Sequence, residues 1–267
     1  KFAGGSPSKL LLLLALCAYT LGMWVSNTAT TAIMVTVSLG VIHSLKERFS
    51  TREMWERFGF RLLLACAFSA SIGGIATPVG TPPNLIVLEF LEQLHLKISF
   101  VEWMSRGVPI SLTILVLVLL ALEWSFPLRM ERLVGLQDHF GNELSRLGPL
   151  TTPERQVAGI FVMMVALWVL PGLAALIFPH SSSLAALEET LSISVVGIGC
   201  ALLLFLLPYR KDAVTVSNLT WEDARDIDWG TILLFGGGLC LGRMLEQSGL
   251  ALFIGEALFS PGTVSLL

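Results

Sequence analysis

Charge is what this sequence has least of. Only 14% of its 267 residues are Asp, Glu, Lys or Arg, against 54% hydrophobic, where a soluble domain carries about a quarter charged residues. The shortage excludes an ordinary water-facing surface and indicates an integral membrane protein. The net charge of −3 is dispersed, and no basic stripe offers a footprint for nucleic acid. Cysteine is sparse too. Cys17, Cys66, Cys200 and Cys240 all lie in apolar segments without a CxxC pair, so they read as small packing residues rather than a disulfide framework or a zinc site. No GxSxG, no His-Glu-x-x-His and no acidic pair occurs within the apolar runs, which argues against an intramembrane hydrolase. His43, His95, His139 and His180 are isolated near predicted loops and read as solvated. The glycine run at 235–242 lacks the Lys-Ser/Thr of a phosphate loop, and its Gly238 and Gly242 read as a close-packing pair. An initiator Met is missing, residues 1–6 do not resemble a signal peptide, and residues 264–267 are still apolar. Both ends read as cut, so the chain is expected to be a fragment.

Two polar interruptions stand out from the apolar background. The first, Trp24-Val25-Ser26-Asn27-Thr28-Ala29-Thr30-Thr31-Ala32, sits inside an apolar run from 10 to 42. The second, Ala76-Thr77-Pro78-Val79-Gly80-Thr81-Pro82-Pro83-Asn84, sits inside a run from 58 to 90. Hydrocarbon offers no partner to a side-chain amide or to irregular backbone, so such breaks need a cavity or a bound ligand. The two are expected to face each other and form half of a binding site.

A spanning helix needs about 20 apolar residues. The arms 10–25 and 29–42 are each short for a span and together too long for one. Lys9 precedes them, and Lys46, Arg48, Arg52 and Arg57 follow. Basic residues mark the cytoplasmic side, so a re-entrant hairpin with Ser26, Asn27 and Thr28 at its tip is expected over 1–45, followed by a cytoplasmic loop at 46–57. Residues 58–92 read as a broken transmembrane helix, because proline removes a donor and forces the helix open. A polar connection, with Phe100, Val101, Trp103 and Met104 spaced for an interfacial helix, leads into a span, the two together filling 93–127. Residues 128–155 read as a cytoplasmic loop, and 156–267 as the truncated start of a second repeat with three helices. Arginine and lysine number four, two, four, none and three in successive loops, an alternation that places 46–57 and 128–155 inside and 179–190 outside. Asn218-Leu219-Thr220 matches a glycosylation sequon, but its loop falls on the cytoplasmic side.

Hydroxyls, an asparagine carbonyl and freed backbone carbonyls are hard oxygen donors suited to a sodium ion. The amides opening each half-helix suit the oxygens of an anion. Neither break contains Lys, Arg, Asp or Glu, so anion binding would rest on dipoles, hydroxyls and co-bound cations. Either patch alone reads equally well as structural, since Ser and Thr bond back to their own helix and Pro-Gly breaks are often kinks. Two breaks in adjacent segments favour a transport site.

Residues 26–32, followed by 73–84 and by the Trp229-Gly230 to Gly238 stretch, resemble the divalent anion/sodium symporter family over essentially the whole chain. The resemblance implies an all-α polytopic membrane protein: an inverted-repeat secondary transporter with re-entrant hairpins, broken helices and a homodimeric assembly, multi-pass in the plasma (inner) membrane. It implies sodium-coupled movement of a dicarboxylate such as succinate, or of citrate or sulfate, with Na+ as coupling ion and no other cofactor. By position, Ser26, Asn27, Ala76 and Gly80 would hold sodium, and Asn27, Thr28 and Thr81 would meet the anion. The second Ser-Asn-Thr hairpin of the family does not occur before Leu267, nor do the scaffold helices that precede the first. Arsenite or sodium–proton transporters of related plan are the main alternative. An intramembrane enzyme or a channel is a more distant one, which saturable sodium-dependent uptake would exclude.

Overall fold

The computed structural model describes residues 7–46, 49, 51–127, 148–178, 187, 190–211 and 214–259. The loop segments 128–147 and 179–186, on which part of the expected inside–outside alternation rests, lie outside the described residues, as do His139, His180 and residues 260–267. Within them the chain is overwhelmingly helical: α1 (Pro7–Gly22), α2 (Asn27–Leu45), α3 (Arg52–Gly73), α4 (Pro82–Gln93), α5 (Phe100–Ser125), α6 (Thr152–Ile177) and α7 (Ile193–Leu206). A two-stranded ribbon of β1 (Pro208–Lys211) and β2 (Val214–Ser217) follows, then α8 (Trp221–Arg225), α9 (Trp229–Gln247) and α10 (Leu250–Phe259). Among the described residues three helices are long and apolar enough to cross a membrane, at Asn27–Leu45, Phe100–Ser125 and Thr152–Ala175.

Several helices begin where a side chain takes up orphan amides. Ser26 caps α2, Thr51 caps α3, and Ser99 with Glu102 forms a reciprocal capping box on α5. The last of these changes one expectation. Phe100, Val101, Trp103 and Met104 are the first turns of the long helix α5 and not a separate interfacial helix, because the Ser99 box starts the helix there and it continues to Ser125. A second difference lies at 208–217, within the last of the five loops in which the basic residues were counted. It is an antiparallel ribbon pairing Pro208 with Ser217 and Lys211 with Val214. The sequon residue Asn218 closes it, its Nδ2 donating to Gln156 Oε1 at 2.8 Å and to Leu207 O at 3.3 Å.

Helix α3 is the axis of the first unit, which runs to Asn218. The chain reverses between α1 and α2, and both lie against α3. Helix α2 is antiparallel to it, with Asn27 beside Gly74, Ser38 Oγ 3.4 Å from Cys66 Sγ, and Ile42 O accepting from Trp55 Nε1 at 2.9 Å. Helix α1 comes so close that a Cβ on Gly22 would strike the Ala70 backbone, and one on Gly73 the Tyr19 backbone. Leu10, Leu11, Met34, Val41, Phe58 and Leu62 fill the space between these helices. Helix α5 is tied in by polar contacts at its middle and near its C-terminal end. Tyr19 Oη meets Ser111 Oγ at 2.7 Å, while the buried Arg61, 3% exposed, donates to the Glu123 carboxylate and to Phe126 O at 3.3 Å. A charge at this depth requires such a partner.

Outward-facing positions are apolar as well: Leu120 is 60% exposed and Leu206 73%. That surface suits hydrocarbon as its solvent. The second unit begins at Leu219 and holds α8, α9 and α10. Thr220 and Asp223 form a capping box on α8, Asp228 caps α9, and Gly249, at φ 72°, turns the chain into α10. Gly238 and Gly242, expected as a packing pair, meet no neighbour within 4 Å among the described residues.

Candidate functional site

The first wall of the site is the turn between α1 and α2. Met23 N and Val25 N close the end of α1 onto Tyr19 O and Leu21 O at 3.1 and 2.9 Å. Ser26 is then extended (φ −52°, ψ 144°), and its hydroxyl accepts from Ala29 N at 3.3 Å while its carbonyl accepts from Thr30 N at 2.9 Å. The amides of Asn27 and Thr28 thus open α2 at its positive end. Ser26 and Thr28 are exposed and Asn27 is half-buried.

The second wall is the segment between α3 and α4, where Ala76, Thr77, Pro78 and Gly80 are buried. Irregular backbone cannot stay buried with unmet carbonyls, and three side chains meet them. Asn84 Nδ2 donates to Gly74 O at 2.7 Å and Thr77 O at 2.8 Å. Trp103 Nε1 donates to Ile75 O at 3.1 Å. The Thr77 hydroxyl accepts from Gly80 N at 3.1 Å and donates across to Met23 O, joining this wall to the turn between α1 and α2. Thr81 is extended before Pro82, half-buried, and its side chain caps nothing.

One atom is left over. Asn27 Oδ1 is buried with no hydrogen-bond partner among the described residues. It points at Gly74: an added Cβ there would meet Asn27 Oδ1 at 2.7 Å and the Gly80 and Ser71 carbonyls at 3.3 Å each. Three neutral oxygens therefore lie close together beside Gly74, and a buried acceptor without a donor costs about 1–3 kcal/mol. A hard cation is the natural ligand for such a set. Among the described residues no cluster of His, Cys, Asp and Glu could hold a metal, so a cation here would be bound by neutral oxygens.

Of the residues expected from the sequence, Asn27 and Gly80 come together around Gly74. Ser26 lies beside Asn27 with its hydroxyl engaged in the cap. The Ala76 carbonyl faces α5, lying 3.0 Å from where a Cβ on Gly107 would stand. Thr28 and Thr81 sit in the opening turns of the two half-helices. Sequence reasoning gave no role to Thr77, Asn84 or Trp103. The signal for Asn84 was present, an amide directly after Pro-Pro at the start of a half-helix; that for Trp103 was not. Beyond the two walls, Trp24 stacks on Phe100 at 6.1 Å and meets Phe161 edge-on, and Phe100 stacks on Trp168 at 5.4 Å.

Comparison with known proteins adds a family and relatives. The family model described as citrate transporter matches residues 1–267. The chain is similar to the sodium-dependent dicarboxylate transporter SdcS of Staphylococcus aureus strain USA300, at 33% identity over an alignment of 272 residues that covers 98% of this chain and 50% of the relative. The proteins of that name from strains NCTC 8325 / PS 47 and COL match at the same identity and coverage. The chain spans about half the length of the curated relatives it matches.

Proposed function

Because the chain belongs to the citrate transporter family, whose members here are transporters and not enzymes, we propose that it forms part of a sodium-coupled carrier of a small di- or tricarboxylate working by alternating access. A dicarboxylate such as succinate is the foremost candidate for the carried anion, with citrate, or sulfate as a non-carboxylate divalent anion, as the alternatives. One observation carries this reading: a buried amide oxygen, Asn27 Oδ1, stands without a partner against the backbone of the facing break.

In the mechanism we infer, sodium is a transported ion rather than a resident cofactor. Asn27 Oδ1 and the Gly80 carbonyl bind it, with Ser26 beside them, while the Ala76 carbonyl expected in the set faces α5. The bound charge then offsets that of an arriving carboxylate, which meets the Asn27 side-chain amide, the Thr28 hydroxyl and Thr81. Neither break carries a fixed positive charge, so the anion depends on the cation, and this dependence couples the two. The α1–α2 unit acts as a re-entrant hairpin in the first of two inverted repeats. The assembled protein is a multi-pass homodimer of the plasma membrane.

The test is initial uptake of labelled succinate, citrate and sulfate by the full-length protein in vesicles, with sodium or with choline. Saturable uptake of a carboxylate that requires sodium is expected. Carboxylate uptake that is indifferent to sodium would remove the coupling mechanism.

A further inference from the structure

One face of α5 touches both walls of the site. Phe100, Trp103 and Gly107 recur at i, i+3 and i+7, the spacing of a single helical stripe. Phe100 stacks on Trp24 of the turn between α1 and α2. Trp103 Nε1 donates to Ile75 O at 3.1 Å. Gly107 faces the next carbonyls of the break so closely that a Cβ would stand 2.9 Å from Ile75 O and 3.0 Å from Ala76 O. The helix presenting this face is held at its start by the Ser99–Glu102 box and, beyond Gly107, by the 2.7 Å contact of Ser111 with Tyr19.

A peptide unit is planar, so fixing the direction of one carbonyl constrains the amide that follows it. With the Ile75 carbonyl bound to the indole and the Ala76 carbonyl against Gly107, the backbone leading to Gly80 has little freedom. Asn84 restrains the same segment from the other side through Gly74 and Thr77. Ligand sets lose affinity when displaced by about half an ångström. We propose that Trp103 and Gly107 are positioning residues for the cation: α5 supplies no ligand, but sets where the carbonyls of the break stand relative to Asn27 Oδ1 and so sets sodium affinity. The proposal rests on the sodium reading above.

Two substitutions in the full-length protein test it, with Asn27→Ala alongside. Trp103→Phe keeps a ring and deletes the donor; Gly107→Ala drives a methyl group against two carbonyls. Initial succinate uptake is measured against sodium concentration, and then against succinate at saturating sodium. Both substitutions should raise the sodium half-saturation about threefold to tenfold, with the maximal rate at saturating sodium close to wild type. A merely structural brace would lower the amount of protein in the membrane and leave the half-saturation unmoved. If Asn27→Ala shifts the sodium dependence and neither α5 variant does, the proposal fails while the sodium reading stands. If none of the three shifts it, the sodium reading fails and takes the proposal with it. Where one α5 variant does not accumulate, the other decides; absence of both from the membrane would make the contact structural and overturn the proposal.

Discussion

At the scale of single residues, Asn27 carries the most weight. Its carbonyl oxygen is buried and unmatched, while its amino group is available to a carboxylate, so one side chain would link both ligands. Asn27→Ala should remove a sodium ligand and an anion donor together. Hydrogen bonds to charged groups contribute about 1.5–3 kcal/mol, which corresponds to a loss of roughly one to two orders of magnitude in affinity. Initial uptake against sodium concentration measures it; an unchanged half-saturation and rate in Asn27→Ala would mean that the amide only supports the turn. Asn27 was legible because an amide between hydroxyls contrasts with the apolar run from 10 to 42 around it. The roles of Asn84 and Trp103 were not, since their partners are backbone carbonyls 7 to 28 residues away along the chain. A carbonyl is the same in every residue, and only the folded path of the chain shows which one lacks a donor.

At the scale of elements, the close approach of α1 and α3 depends on two hydrogens. Gly22→Ala and Gly73→Ala each push a methyl group into opposing backbone, and overpacking of this kind costs about 1–3 kcal/mol. Gly40→Ala in α2, where a Cβ meets nothing within 4 Å, is the control and should be neutral or mildly stabilising through helix propensity. Thermal denaturation in detergent separates them. The caps of the second unit make a pH prediction. The Thr220 hydroxyl and then its backbone amide hold the Asp223 carboxyl below its ordinary range. The Thr231 hydroxyl and then its amide do the same for Asp228. A depressed carboxyl contributes stability above its unfolded pKa, about 3.9, and loses it as pH falls through the folded value. Helicity of 219–259 should therefore be flat from neutral pH down to about 5 and decline only below about 4, as circular dichroism would record. These caps could be read ahead as Thr-x-x-Asp and Asp before an apolar run. The ribbon at 208–217 could not, because alternation over four-residue strands containing Pro208 and two lysine or arginine residues is too short to distinguish from a polar loop.

At the scale of the molecule, we propose from the alternation of basic residues that 46–57 and 128–155 lie on the cytoplasmic side and 179–190 outside. Single cysteines at Ser50 and Ser182, in a background lacking the exposed Cys17 and Cys240, should react with an impermeant maleimide from outside only at 182. Reaction at 50 alone would invert the arrangement. The unmatched oxygen of Asn27 has a consequence for the protein as a whole. An acceptor that a cation would satisfy in the proposed site is assembled only in the folded chain and is dispersed into water when the chain unfolds, so the ion would bind one state and not the other. Sodium should then raise the melting temperature in detergent where equimolar choline does not. At a concentration 100 times its dissociation constant the gain is about 2.7 kcal/mol. The chain would register the ion as resistance to heat, with no gradient, no vesicle and no movement of cargo required.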